Sequence, residues 1–256
     1  GSDTLAGAGG ADTIYDDINT PVANESDTYD GSSIGIYGQN LDAASDSVVG
    51  NDSLYGNGGD DTLIASGGND TLDGGEGADT LTGGAGIDTF VIREGDGGSS
   101  ISDADTITDF TDGTDLIGMS GLEYSQLTIE QGTGDYANHV VVKKTDTSEF
   151  LVIVQNINTD NINYYDIVST STDAQTLTGT SGDDILLGGS GNDTFTTGAG
   201  TDVVLGYGGD DTVTINGAGN KTIDGGAGTN TVAIAYGSIT GLQDFTTRSL
   251  DSDYKL

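Results

Sequence analysis

The chemistry of this sequence is carried by its aspartates, which recur at intervals of nine residues beside glycines. Only 6 of the 42 acidic residues are Glu, and short carboxylates next to glycines suit tight turns and hard cations. The sequence therefore predicts a series of oxygen-rich turns that bind a divalent cation. The spaced aspartates are Asp3 and Asp12; Asp52, Asp61, Asp70, Asp79 and Asp88; and Asp184, Asp193, Asp202 and Asp211.

Each of these aspartates closes a glycine-rich hexapeptide and opens a short apolar triplet, as in GNGGDDTLI (56–64) and GGSGNDTFT (188–196). A turn followed by a short strand makes half a coil, so two nonapeptides predict one full coil of 18 residues. The apolar residue two places after each aspartate is expected to point into the coil. These residues are Leu54, Leu63, Leu72, Leu81, Phe90, Leu186, Phe195, Val204 and Val213.

One apolar residue in nine makes a thin core, which does not offset an ordering entropy of about 1–2 kcal/mol per residue. Aspartates of successive coils also stack, and their like charges disfavour folding. A cation that accepts roughly 6–8 oxygens, backbone carbonyls included, would neutralise the stack. The alternative, a set of solvated Asx turns without metal, leaves the stacked charge unexplained.

Composition excludes several classes of protein. The 256-residue chain has a net charge of −36 at pH 7, which repels nucleic-acid phosphate and anionic lipid. It has no Cys and one His, His139, so disulfides, zinc–thiolate sites and His-rich metal sites are excluded. No apolar run approaches the ~20 residues of a transmembrane helix. Since no catalytic constellation is present either, the chain is not expected to be an enzyme.

The nonapeptide resembles the RTX, or hemolysin-type, calcium-binding repeat G-G-x-G-x-D-x-U-x, in which U is a large apolar residue. The resemblance implies an all-β fold: two parallel β-roll blocks with calcium in the turns, separated by a small antiparallel β capping unit. It also implies that each ion lies between the turns of repeats n and n+2. Positions 2, 4 and 6 of one turn and positions 1, 3 and 6 of the next would supply the ligands.

Carried onto this sequence, the resemblance implies five complete calcium sites, with position 6 binding through its side chain and the others through carbonyls. The five sets are Val48, Gly50, Asp52, Ala65, Gly67 and Asp70; Asn57, Gly59, Asp61, Gly74, Glu76 and Asp79; Ser66, Gly68, Asp70, Gly83, Ala85 and Asp88; Thr180, Gly182, Asp184, Thr197, Ala199 and Asp202; and Gly189, Gly191, Asp193, Gly206, Gly208 and Asp211. Half-sites remain at the tract ends, including Asp3 and Asp12. At least five Ca²⁺ ions are therefore expected.

The segment ADTITDFTDGTDLIGMSGL (104–122) resembles the segment that follows the repeats in serralysin-type proteases and alginate epimerase R-modules. It implies a capping strand with further antiparallel strands, for which LTIEQ (127–131), HVVVKKT (139–145) and FLVIVQNI (150–157) are candidates. Asp105 and Asp109 are candidates to complete the half-sites of Asp79 and Asp88.

The repeat degenerates after Asp211, where the next turn slips by one residue. Lys221 and then Asn230 replace the aspartate. An ammonium can act as a charge plug between carbonyls, so Lys221 is predicted to replace a calcium ion. The alternatives are a loose turn with Lys221 in solvent and simple degeneracy at the end of an array.

Four regions follow from these patterns. Residues 1–91 form the first roll, interrupted by an insertion at 16–46; 92–172 form the capping unit; 173–236 form the second roll; and 237–256 form a tail or the start of a further segment. The insertion is either a binding loop or a tolerated surface excursion.

The expected function is that of a calcium-binding structural module of a secreted or cell-surface bacterial protein. The resemblance implies type I secretion, with folding on calcium outside the cell, as in an adhesin stalk or an S-layer-like segment. Two alternatives remain: a ligand-binding adhesin domain recognising glycan or peptide, and an accessory module of an exported enzyme such as an alginate epimerase or protease. Calcium is the expected partner, with possible self-association or surface polysaccharide; nucleic acid and membrane insertion are not expected.

Overall fold

The computed structural model describes residues 51–235 and the backbone of three further strands at 4–6, 13–15 and 245–248. The chain divides into two compact units, one comprising Gly1–Gly118 and Leu127–Asp166 and the other Met119–Gln126 and Ile167–Leu256. Among the described residues, regular structure consists of short strands and four 3₁₀ turns: Ile101–Asp103, Tyr124–Gln126, Gly134–Tyr136 and Thr159–Asn161.

The first unit is a parallel β-roll extended by antiparallel strands. Its strands are β1 (Thr4–Ala6), β2 (Thr13–Tyr15), β3 (Ser53–Gly58), β4 (Thr62–Ile64), β5 (Thr71–Glu76), β6 (Thr80–Thr82), β7 (Thr89–Arg93), β8 (Asp105–Ile107), β9 (Leu116–Ser120), β10 (Leu127–Gln131), β11 (Val140–Lys144) and β12 (Phe150–Val154). One sheet has the order β1-β3-β5-β7-β9 within this unit, and the other has the order β10-β11-β12-β8-β6-β4-β2.

Register in the roll confirms the predicted 18-residue coil. Leu54 pairs with Leu72 and Leu72 with Phe90 in one sheet, while Leu63 pairs with Leu81 in the other. All of these side chains are fully buried, so every coil adds its apolar residue to one continuous interior column. A threonine precedes each of these apolar residues except Leu54, which follows Ser53, and threonine suits a short, pleated, half-buried strand.

The capping strands are not a separate sheet in this unit. Strand β8 pairs in parallel with β6, and β12 pairs in parallel with β8 on its other side. From β12 the sheet continues antiparallel through β11 to β10, with a bulge at Val142/Lys143. This confirms the antiparallel strands expected after the repeats. The four-region division of the sequence stays a prediction.

The second unit contains a further parallel roll. Its strands are β13 (Ile167–Ser169), β14 (Thr176–Thr178), β15 (Ile185–Leu187), β16 (Thr194–Thr196), β17 (Asp202–Leu205), β18 (Thr212–Ile215), β19 (Lys221–Asp224), β20 (Thr231–Ile234) and β21 (Phe245–Arg248). Two four-stranded sheets have the orders β14-β16-β18-β20 and β15-β17-β19-β21. Their inward residues form one core cluster: Leu177, Leu186, Phe195, Val204, Val213, Ile215 and Ile223.

Candidate calcium sites

The repeat aspartates form two stacks in the first roll, linked by backbone-to-carboxylate hydrogen bonds. The Asp52 N–H donates to Oδ1 of Asp70 at 2.8 Å, and the Asp70 N–H donates to Oδ1 of Asp88 at 2.9 Å. In the other stack, the Asp61 N–H donates to Oδ1 of Asp79 at 2.7 Å. Each aspartate therefore fastens its own turn to the turn one coil earlier.

The second roll repeats this arrangement. The Asp184 N–H donates to Oδ1 of Asp202 at 3.1 Å, and the Asp193 N–H donates to Oδ1 of Asp211 at 2.8 Å. In both rolls a backbone N–H thus occupies Oδ1 of the later aspartate of each pair. In the second roll Oδ2 is also engaged at three positions: it accepts the Thr180 N–H at Asp184 and the Gly189 N–H at Asp193, and it contacts Lys221 at Asp202.

Several Oδ2 atoms are buried and accept no hydrogen bond, although their Oδ1 atoms are engaged. They belong to Asp70, Asp79, Asp88, Asp105 and Asp211. Leaving an ionised oxygen buried without a donor is costly, so such an atom needs a cation or a proton. Burial accordingly raises the pKa of Asp79, Asp88 and Asp211 to about 6, and raises that of Asp105 well above its usual value.

Glycines let the turns of neighbouring coils approach each other closely. Gly77, with φ of 140°, packs directly on the carbonyl oxygen of Gly59, and Gly86, with φ of 142°, packs on that of Gly68. A Cβ at either position would collide with that carbonyl. Gly59 and Gly68 are among the predicted carbonyl ligands, and Ca²⁺ takes carbonyl and carboxylate oxygens together.

The sites cannot consist of side chains alone. Within residues 51–235, no group of three or more acidic or histidine side chains is arranged to hold a metal ion by itself. A cation bound between paired aspartates would thus need the turn carbonyls as additional ligands. This mixed set of hard oxygens is what Ca²⁺ accepts, and it is a poor match for the strict octahedron of Mg²⁺.

Four of the five predicted ligand sets lie wholly in the described residues. In each set the position-6 pair is brought together by the stacking bond: Asp61 with Asp79, Asp70 with Asp88, Asp184 with Asp202, and Asp193 with Asp211. The fifth pair, Asp52 with Asp70, is also joined, but its partners Val48 and Gly50 lie outside the described residues. Asp3, Asp12 and the insertion at 16–46 lie outside them as well.

The stacks continue into the segment after the repeats through longer coils. The Asp79 N–H donates to Oδ1 of Asp105 at 2.9 Å across 26 residues, so Asp105 lies one coil beyond Asp79. The corresponding position after Asp88 is held by Asp115, whose Oδ1 accepts the Asp88 N–H at 3.0 Å across 27 residues. Asp109 lies at the start of that turn, where its carboxylate accepts the Gly83 and Gly84 N–H groups.

Sequence reasoning passed over Asp115 and over a second, exposed ladder at position 5 of the turns. There, Oδ1 of Asn69 accepts the Ile87 N–H at 3.0 Å, and Oδ1 of Asn192 accepts the Asp210 N–H at 2.8 Å. The signal for the ladder was the Asn or Asp that precedes many repeat aspartates. The signal for Asp115 was the Asp-Leu-Ile that restores the repeat pattern.

The scarce basic groups of the β10–β12 strands are committed to carboxylates. Lys143 pairs with Glu130 at 2.5 Å, and Lys144 is buried against Glu94 at 2.7 Å and Asp146 at 3.2 Å. His139 accepts the Asn156 N–H through Nδ1 at 2.9 Å. This surface therefore offers no unpaired lysine for an acidic polymer.

Comparison with known proteins agrees with the turns and stacks described above. The model of the RTX calcium-binding nonapeptide repeat matches residues 1–17, 49–72, 55–90, 178–213 and 217–233. The chain carries the RTX calcium-binding nonapeptide repeat over these residues, and its described strands build parallel β-rolls in an all-β structure.

Two solved structures are similar to parts of the chain. The AlgE6R2 subunit of the Azotobacter vinelandii mannuronan C5-epimerase is 31% identical, with 46% of this chain and 80% of that chain covered and a TM-score of 0.36. The AlgE6R3 subunit of the same epimerase is 25% identical, with 65% and 77% covered and a TM-score of 0.24. Such low TM-scores assign no shared arrangement of coils. No curated protein matches significantly.

A membrane-spanning helix would need a long apolar stretch. In the part of the chain that the structure describes, no helix has the length and apolarity to cross a bilayer.

Proposed function

We propose that this chain is a structural module of a secreted or cell-surface bacterial protein, and that calcium ions in its turns are part of its folded state. The observation that carries the proposal is the row of buried Oδ2 atoms that accept no hydrogen bond, at Asp70, Asp79, Asp88, Asp105 and Asp211. The predicted ligand sets also contain carbonyl oxygens of the turns, so a cation between two turns would satisfy both kinds of oxygen at once.

Charge makes the module a calcium switch. At a net charge of −36, the metal-free chain repels itself, and the repulsion is greatest where aspartates stack within the rolls. Low calcium in the cytosol would leave the chain unfolded and competent for type I export. Extracellular calcium modules bind with Kd values of roughly 10⁻⁴–10⁻³ M, so calcium outside the cell would fold it.

At least five ions are proposed, one for each pair of position-6 aspartates in the repeats. At the Asp184–Asp202 pair, Oδ2 of Asp202 also contacts Lys221 at 2.8 Å, so a calcium ion there would share this carboxylate with the ammonium. Two further positions, between Asp79 and Asp105 and between Asp88 and Asp115, extend the stacks beyond the repeats. Repeated coils that supply all the ligands of their own calcium ions suit a stalk or an S-layer-like segment. The paired lysines of β11 give no support to binding of an acidic glycan.

The proposal is tested by far-UV circular dichroism of the chain after metal removal, during titration with calcium and, separately, with magnesium. The expected result is little β signal without metal, its appearance at calcium concentrations of roughly 10⁻⁴–10⁻³ M, and a much weaker response to magnesium. Full β signal in excess chelator at neutral pH would overturn the proposal.

A further inference from the structure

Lys221 lies at the aspartate position of its turn, with its side chain in the interior. It opens β19 and pairs in register with Asp202 of β17, as a repeat aspartate one coil later would. Its side chain is fully buried, at 0% exposure. The reading in which Lys221 points into solvent is therefore wrong.

The Lys221 ammonium contacts three oxygens of two successive turns. Nζ lies 2.7 Å from the Gly200 carbonyl, 3.3 Å from the Ala218 carbonyl and 2.8 Å from Oδ2 of Asp202. Within the nonapeptide, Gly200 and Asp202 hold positions 4 and 6 of one turn, and Ala218 holds position 3 of the next. Their oxygens are of the same classes that the repeat pattern assigns to an ion between two turns.

The charges at this position are neutralised without a metal ion. Two stacked aspartates need a divalent cation for neutrality, whereas Asp202 with Lys221 is neutral already. A divalent ion at this position would have only the Asp202 carboxylate to bind. It would also be repelled by the Lys221 ammonium, which already occupies the position. A buried charge pair is retained only when its remaining hydrogen-bonding capacity is met, and the two carbonyls meet that of the ammonium.

The neighbouring stack ends in a different way. Asn230 offers Oδ1 to the Asp211 N–H at 2.8 Å, as an aspartate would, while its Nδ2 donates to the Gly226 carbonyl at 3.3 Å. The amide thus keeps the stacking bond and fills the remaining position with a donor instead of a cation-binding oxygen. Within residues 51–235, the final member of both stacks of the second roll is therefore a group that supplies its own hydrogen-bond donors.

We propose that Lys221 is a built-in replacement for a calcium ion, and that with Asn230 it makes the coil at residues 216–235 independent of calcium. The inference rests on the proposed function, since it assumes that the earlier turns bind calcium. It adds which turns do not bind calcium, and it explains why the proposed series of calcium ions stops after Asp211.

The test is the calcium stoichiometry of Lys221→Asp, measured by native mass spectrometry and calorimetry on the whole chain. This change restores the repeat pattern between the turns of Asp202 and residue 221, so one additional calcium ion per chain is expected. The matched control is Lys143→Asp, which makes the same charge change on an ion-paired strand lysine and should leave the stoichiometry unchanged. A folded Lys221→Asp variant with the stoichiometry of the unsubstituted chain would overturn the proposal.

A second measurement keeps the inference testable if Lys221→Asp does not fold. Anomalous scattering from a calcium-soaked crystal of the unsubstituted chain should show no peak between the turns ending at Asp202 and Lys221. A calcium peak there would overturn the proposal, whatever the variant does. An unsubstituted chain that folds without binding calcium would instead refute the proposed function, so the two failures are distinguishable.

Discussion

The backbone N–H of Asp70 donates a hydrogen bond of 2.9 Å to Oδ1 of Asp88, which lies one coil later. Oδ1 of Asp70 accepts the same bond from Asp52 at 2.8 Å. Asp70 thus belongs to two successive turn pairs, and its Oδ2 is buried and accepts no hydrogen bond. This shared position makes the energetics of neighbouring sites interdependent.

Asp70→Ala should remove more bound calcium than Asp52→Ala. The first change removes a carboxylate from two complete ligand sets and leaves the Asp52 N–H without its acceptor, a loss of about 1–3 kcal/mol on its own. Asp52 belongs to one complete set. Isothermal calorimetry should show a deficit of two ions for Asp70→Ala and one for Asp52→Ala; equal deficits would contradict the shared geometry.

Substitutions at Asp211 and Asp210 form a matched pair that distinguishes the loss of a calcium ligand from the loss of a surface charge. Asp211→Asn keeps Oδ1 for the Asp193 N–H but turns the buried Oδ2 into an amide, whereas Asp210→Asn makes the same charge change on an exposed side chain. Losing an interaction with a charged group costs roughly 1.5–3 kcal/mol, so Asp211→Asn should raise the calcium needed for half-maximal folding about tenfold or more. Asp210→Asn should shift it little. Similar shifts in a circular dichroism titration of the two variants would argue against a ligand role for Asp211.

Gly86 should be far less replaceable than Gly113, although both have positive φ. Alanine at either position incurs left-handed strain of roughly 1–2 kcal/mol. A Cβ at Gly86 also collides with the Gly68 carbonyl, while one at Gly113 meets nothing within 4 Å. Gly86→Ala should therefore lower the unfolding free energy of the calcium-loaded chain by about 1–3 kcal/mol more than Gly113→Ala. Denaturant melts of both variants check this, and equal losses would exclude a close approach between coils.

Stability should depend on pH in opposite directions with and without calcium. Burial raises the pKa of Asp79, Asp88 and Asp211 from 3.8 to about 6 in the folded chain. In metal-free protein these groups favour the folded state below pH 3.8, and that contribution is lost as the pH rises through about 6. Metal-free protein should therefore show more β signal at acidic than at neutral pH.

With calcium present, protons compete for the same oxygens, so the calcium needed for half-maximal folding should rise as the pH falls below about 6. Circular dichroism titrations at matched ionic strength measure both trends. Metal-free β signal that grows toward neutral pH would contradict the assignment of the buried carboxylates.

Strict periodicity explains what the sequence could predict. Asp70 and Leu72 are placed by the repeat itself, because a nine-residue period leaves one register in which every carboxylate meets a turn and every apolar residue faces inward. Lys221 was also placed correctly, since its burial follows from its position in the turn. Local spacing was enough wherever each coil had the length of its neighbour.

Prediction was weaker where coil length is set by pairing with distant strands. The coils that reach Asp105 and Asp115 contain 26 and 27 residues, because β8 is held against β12 across the sheet. Asp115 keeps the nine-residue count, 27 residues after Asp88, but the two intervening positions hold Gly97 and Thr106, so the pattern is interrupted before it reaches Asp115. Asp109 matches a family motif, but its carboxylate accepts hydrogen bonds from the Gly83 and Gly84 N–H groups.

The most direct test of the central claim is an anomalous difference map at a wavelength where calcium scatters, from crystals grown with calcium. We expect peaks between the turns of each stacked aspartate pair, at coordination distance from Oδ2 of Asp70, Asp79, Asp88 and Asp211, and no peak between the turns of Asp202 and Lys221. Intact coils without calcium peaks at these carboxylates would contradict it.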